Sequence, residues 1–328
     1  MSSQTLKDKN TNKPKMGSGV IKILFFIFGF IVFFFYYNKQ NQISFIGVFH
    51  YITRYENKIK ALIQTTYPHN YPAVIVVVLG LAMGEVLTPI NFLKAAIISW
   101  FPLTTCMIIN VVTDWKEDAI NGKNAFIHKY LTKNEMVVFY LLFVLISILL
   151  CINGNLYLQI SVVSMILVGI FYSVFRFKDK LFLNYLCLGI GYGLLPPAIG
   201  LFSFTFELTY LNALMLFISG LFLFLGCQIK DFEDAKGDKK GSTLAHLPHS
   251  IKIYISYHFL FFAFLLLLII QSFLPTKFII SFVVFPLFLV ILYKLVKSKT
   301  KTELRSVHIN HHLLTNITIG IFAVCFII

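Results

Sequence analysis

Nine apolar runs recur along this chain, at about 71–88, 91–113, 136–153, 156–175, 181–201, 209–229, 253–273, 278–296 and 309–328, each close to the roughly 20 residues that carry a helix across a bilayer. No other feature restricts the fold as much. Within the hydrocarbon core every backbone N–H and C=O needs an internal partner, so a span is either a helix or a strand of a closed barrel. Barrel strands alternate in polarity and are about half this length. The predicted fold class is all-α, a polytopic membrane helix bundle with nine core transmembrane helices. In the fifth run, Gly189, Gly191, Gly193, Pro196 and Pro197 interrupt the helix. A break is tolerated where protein or water meets the freed backbone groups, so this run is expected to line a cavity.

Composition agrees. Of the 328 residues, 58% are hydrophobic and 13% charged, against roughly a quarter charged in a soluble domain. The net charge of +14 would suggest nucleic acid in a soluble chain. Here the basic residues collect in alternate loops, so the expected environment is a lipid bilayer and no nucleic acid. One side carries Lys116, Lys123, Lys129 and Lys133, then Arg176, Lys178 and Lys180, then Lys230 to Lys252, then Lys294 to Arg305; the other has little beyond Lys94 and Lys277. The positive-inside rule puts the basic side in the cytoplasm. The five cysteines lie in or beside apolar runs without a CxxC pair, which argues for free thiols over a metal or disulfide framework.

Residues 1–70 read as an N-terminal extension and 71–328 as the membrane domain. The extension has a Lys-rich tail, an extra apolar segment at 20–37 and a mixed stretch at 43–70 that suits an interfacial helix. No small-residue cleavage site follows the apolar segment; the next residues are Asn38, Lys39 and Gln40. It reads as an extra membrane helix or an anchor, not a removed signal.

The chemistry concentrates at two span ends. The second run closes on Asn110-Val-Val-Thr-Asp114-Trp-Lys-Glu-Asp118. Polar residues four apart share one helical face, and carboxylates at a membrane edge are costly unless they serve a purpose. After the sixth run come Asp231, Asp234 and Asp238, at i, i+3 and i+7 on one face. Facing carboxylates repel unless a cation neutralises them, and Mg²⁺ binds through a few such oxygens plus substrate phosphates. Arg176, Lys178 and Lys240 could take the remaining phosphate oxygens. The chemistry thus assembled is cleavage of a diphosphate, with charge on the leaving group stabilised.

With these residues the chain resembles the UbiA-type superfamily of intramembrane prenyltransferases. Its marks are an NxxxDxxxD motif after the second helix, here Asn110, Asp114 and Asp118, and a DxxDxxxD motif after the sixth, here Asp231, Asp234 and Asp238. A Tyr-Ser stretch with basic residues follows the fourth helix, here Tyr172, Ser173, Arg176 and Lys178, and Lys240-Gly241-Ser-Thr243-Leu244 looks like the tail of the second motif. The resemblance implies nine helices around a central cavity. It also implies Mg²⁺-dependent transfer of a prenyl group from an isoprenoid diphosphate to a small-molecule acceptor. By it, Asp114, Asp118, Asp231, Asp234, Tyr172 and Arg176 are catalytic; Asn110, Arg176, Lys178 and Lys240 hold the diphosphate; and Asn110, Asp114, Asp118, Asp231, Asp234 and Asp238 hold the metal.

The continuation Asn121-Gly-Lys-Asn-Ala-Phe-Ile-His-Lys129 lacks the Arg-Pro pair of many members. The acceptor is therefore open. A terpene cyclase that quenches its own cation is an alternative, and a transporter a more distant one, since transporters place their acids near the bilayer midplane. His308, His311 and His312, at the start of the last run, are expected to cap or face headgroups, because a bare His cluster has no defined ligand geometry.

Overall fold

A computed structural model of the chain describes residues 56–120, 124–234 and 243–328, without the side chains of 66–74 and 234. The basic tail, the apolar segment at 20–37 and residues 43–55 lie outside the described residues. The chain divides into two compact units, Met1–Lys60 and Ala61–Ile328, of which the second holds the membrane helices.

The described residues are helical throughout, with no strand among them. Helix α1 is Glu56–Met83, α2 Pro89–Ile120, α3 Ala125–Tyr130, α4 Lys133–Cys151 and α5 Leu156–Ser173. Then come α6 Leu181–Phe202, α7 Tyr210–Gly226, α8 Ile229–Asp234, α9 Ser250–Ile270, α10 Phe285–Lys297 and α11 Lys301–Ile327. A 3₁₀ segment, Thr276–Val284, leads into α10. Eight helical stretches among the described residues are long and apolar enough to cross a membrane, matching the second to ninth expected runs. The first expected run falls on α1, which is already helical at Glu56 within the stretch read as interfacial.

Helix starts follow local chemistry. Thr132 and Thr300 form capping boxes with Glu135 and Glu303, and Asn155 and Thr209 accept from backbone N–H groups of α5 and α7. Such caps satisfy the orphan donors of a first turn. Outward-facing Leu141, Leu145, Leu149, Leu260, Ile270 and Val283 are exposed, a surface too apolar for water and suited to lipid.

Lipid offers no hydrophobic drive between helices, so close packing and polar contacts hold them together. Gly80 of α1 and Gly200 of α6 meet the facing backbone: a Cβ on Gly80 would lie 1.9 Å from the Pro197 carbonyl oxygen, and one on Gly200 2.5 Å from that of Val77. The predicted break in α6 is a π-helical turn over Gly189–Leu194, with Gly189, Gly191 and Gly193 buried. A Cβ on Gly193 would lie 2.6 Å from the Ser219 carbonyl oxygen. Gly189 and Gly193 therefore let α6 lie close against α7.

Polar contacts join α9 to α11. His258, His311 and Tyr254 are all fully buried. His258 Nδ1 lies 3.0 Å from the Tyr254 carbonyl oxygen, which only accepts, so that nitrogen carries the hydrogen. With both imidazoles neutral, His311 Nε2–H donates to His258 Nε2 at 3.0 Å and Thr315 Oγ1 donates to His311 Nδ1 at 3.4 Å. His311 thus belongs to an interhelical network in the interior. It neither caps a helix nor faces headgroups.

Candidate active site

The end of α2 runs on as helix through Ile120, so Asn110, Asp114 and Asp118 do share a face. Across from them, the chain leaving α5 turns at Arg176 into a 3₁₀ turn, Phe177–Asp179. Arg176 has φ 58°, a left-handed conformation unusual for a residue with a side chain. That turn directs both basic residues at α2. Arg176 Nη1 donates to Asp114 Oδ1 at 2.8 Å, and Lys178 Nζ donates to the other oxygen, Oδ2. Lys178 Nζ also donates to Asn110 Oδ1 at 3.0 Å, as does Ser173 Oγ at 3.4 Å. Arg176 reaches Glu117 at 3.4 Å and Asp179 at 3.0 Å. Partial burial alone would lower the Arg176 pKa; the hydrogen bond to Asp179 and the charges of Asp179, Glu117 and Asp114 outweigh it and hold the guanidinium above its ordinary value.

Asp118, Asp231 and Glu233 have other partners. Asp118, 9% exposed, accepts from Asn124 Nδ2 at 2.7 Å. Asn124 has φ 53° and precedes α3, which is fixed to α2 by Trp115 against His128, ring centroids 4.1 Å apart. Asp231, also 9% exposed, accepts from the Tyr185 hydroxyl of α6. Glu233 pairs with His308 Nδ1 of α11 at 3.0 Å. Tyr172, at the end of α5, interacts electrostatically with both Asp231 and Asp114, which ties the two acidic elements to one region.

Of the predicted residues, Asn110, Asp114, Arg176 and Lys178 are brought into direct contact. Asp118 and Asp231 have partners outside that contact, and Tyr172 is within electrostatic reach of Asp114 and Asp231. The Asp234 side chain, Asp238 and Lys240 lie outside the described residues. Among the described residues no three His, Cys, Asp or Glu side chains cluster as metal ligands. The donor set of Asn110, Asp114, Asp118 and Asp231 is nevertheless hard oxygen, which suits Mg²⁺. Asp114 already pairs with two cations, Arg176 and Lys178.

The sequence matches the model of the UbiA prenyltransferase family over residues 71–314, well over half of the chain. The chain belongs to that family. It is an integral, multi-pass membrane protein. Its fold is similar to that of a structure described as digeranylgeranylglyceryl phosphate synthase, with TM-score 0.61 and 19% identity over 82% of this chain and 99% of that one. A UbiA homolog from Archaeoglobus fulgidus bound to DMAPP and Mg²⁺ aligns with TM-score 0.55 and 14% identity over 80% and 99% of the two chains. The same homolog bound to GPP and Mg²⁺ aligns with TM-score 0.56 and 13% identity over 82% and 100%. No curated protein matches the sequence.

Sequence reasoning alone misses Tyr185, Asn124 and the Glu233–His308 pair as site neighbours of this family member. Asn124 lies in the stretch that departs from the family pattern, which is a signal without an assignment. Tyr185 sits in an apolar run with no motif around it, so nothing in the sequence distinguishes it from a core aromatic.

Proposed function

We propose that this chain transfers a prenyl group from an isoprenoid diphosphate to a small-molecule acceptor within the membrane, releasing pyrophosphate. The observation that carries this reading is the convergence of Arg176 and Lys178 on Asp114 and Asn110 at the end of α2. Two cations beside an acidic helix face make a site for a diphosphate and a divalent cation together. The metal would be Mg²⁺, held by Asn110, Asp114 and Asp118 on one side and Asp231, Asp234 and Asp238 on the other. When bound it supplies neutralising charge for the diphosphate and for the negative charge that grows on it.

The protein's own groups do the rest. Arg176 presents a planar fork and Lys178 a point charge to phosphate oxygens. Held at the end of α2, both would stabilise the charge that grows on the diphosphate as the C–O bond breaks. Tyr172, electrostatically coupled to both acidic elements, would border the allylic carbon. A central apolar cavity would house the prenyl chain and keep water from the cation. The acceptor nucleophile then attacks and loses its proton. By the positive-inside rule, this site would face the cytoplasm.

The test uses the full chain in nanodiscs with prenyl diphosphates of several lengths, Mg²⁺, and membrane extract as acceptor source. Mg²⁺-dependent pyrophosphate release with label moving into a lipid product is expected, and Asp114→Ala should abolish both. Full turnover in Asp114→Ala, or no release at any chain length, would sink the assignment. A cyclic product formed without extract would replace transfer by cyclisation.

A further inference from the structure

Tyr185 lies in the second turn of α6, a helix that carries none of the residues predicted for the site. It is 3% exposed, and its ring meets Phe224 of α7 edge-on, centroids 6.0 Å apart at 79°. A phenylalanine would fill that space as well. A buried phenol hydroxyl costs free energy unless it is hydrogen-bonded, so its partners say what it is for.

Two of its partners lie on either side of residues 235–242. The hydroxyl donates to Asp231 Oδ2, on α8, and accepts from the backbone N–H of Leu244 at 2.6 Å. Leu244 opens the 3₁₀ turn Leu244–His246, where backbone N–H groups have no partner from within the turn. One oxygen atom on α6 therefore orients a carboxylate that is 9% exposed and satisfies a backbone donor where the chain returns. His308 of α11 grips Glu233, two residues along the same short helix. Helix α8 is six residues long and follows α7 after two residues, so the grips of Tyr185 and His308 act on a direction that α7 already begins.

We propose that Tyr185 is a positioning residue for the second acidic motif: its hydroxyl fixes the Asp231 carboxylate for Mg²⁺ and ties α8 to the chain at Leu244. This rests on the prenyltransferase reading above. Hydrogen bonds to a metal-ligating carboxylate orient it, and their removal typically lowers metal affinity about 10–100-fold.

The experiment uses the full chain in nanodiscs, with Mg²⁺ and a non-cleavable thio analogue of geranyl diphosphate as probes, so that binding is read without turnover. In Tyr185→Phe the Mg²⁺ concentration for half-maximal analogue binding should rise about tenfold or more. The Leu244 amide should exchange faster in metal-free protein. In an Asp231→Asn background the same substitution should move the Mg²⁺ dependence by less than about twofold, because the coupling runs through that carboxylate. Unchanged Mg²⁺ dependence in Tyr185→Phe, with the wild type binding normally, overturns the positioning role and leaves the prenyltransferase reading standing. A wild type that binds neither this analogue nor its longer-chain homologues with Mg²⁺ overturns both. If Tyr185→Phe does not fold, a fluorotyrosine at 185 keeps the ring and alters the strength of the hydroxyl's hydrogen bonds. The Mg²⁺ dependence must then shift, and its staying at the wild-type value overturns the proposal.

Discussion

Arg176 Nη1 and Asp114 Oδ1 lie 2.8 Å apart although 62 residues separate them in the chain. The contact joins the end of α2 to the turn after α5, and it depends on an arginine held at φ 58°. Left-handed backbone costs a residue with a Cβ roughly 1–2 kcal/mol relative to glycine. A strained residue at a candidate active site is an expected place for function to outweigh local preference.

The strain and the charge separate by substitution. Arg176→Gly should be more stable than Arg176→Ala by about 1 kcal/mol, as read from thermal midpoints in detergent. Both should lose prenyl diphosphate turnover equally, by about 100-fold or more, the scale of removing one charge-stabilising donor. Greater activity in the glycine variant than in the alanine variant would mean that backbone shape, not the guanidinium, is what catalysis requires.

Asn124 orients Asp118, as its 2.7 Å hydrogen bond indicates. Asn124→Ala should raise the Mg²⁺ needed for half-maximal pyrophosphate release by about tenfold with little change at saturating Mg²⁺. Asn124→Gly should have the same metal defect and better stability, since glycine accepts φ 53° without strain. A Mg²⁺ titration of the three proteins, with their thermal midpoints, checks both statements. Wild-type titration curves in the variants would show that Asp118 needs no help from Asn124.

Gly80 and Gly320 form a matched pair. A methyl group on Gly80 would meet the Pro197 carbonyl oxygen at 1.9 Å, whereas one on Gly320 meets nothing within 4 Å. Gly80→Ala should destabilise by roughly 1–3 kcal/mol, the usual range for overpacking. Gly320→Ala should be neutral or stabilising by up to about 1 kcal/mol, because alanine is the better helix former. Thermal unfolding in one detergent compares them directly; equal midpoints would show that α1 and α6 can part without loss.

The network of His258, His311 and Tyr254 offers a stability test away from the site. His311→Leu leaves the His258 nitrogen and the Tyr254 hydroxyl without that partner and should cost about 1–3 kcal/mol. The double variant His258→Leu with His311→Leu should cost less than the sum of the singles, since residues in one network couple. Additive losses in thermal midpoint would show that the contacts work independently.

Apolar length was enough to place the second to ninth spans, since a bilayer demands about 20 residues and internal backbone pairing whatever the side chains touch. Spacing put Asn110, Asp114 and Asp118 on one face, because helical periodicity is local. The loop charges singled out Arg176 and Lys178, but no pattern along the chain says that they turn onto Asp114. That contact exists only in the folded protein, as do the close approach behind the glycines of α6, the interior place of His311, and the partners Asn124 and Tyr185. All but one of these bring together segments far apart in the chain, within hydrogen-bond or van der Waals range. The exception is Asn124 on Asp118, six positions apart, where Asn124 is a left-handed residue that no periodicity announces. A hydroxyl on a buried ring has no periodicity and no neighbouring motif either, so Tyr185 becomes legible only once α6, α8 and the return at Leu244 are folded against one another.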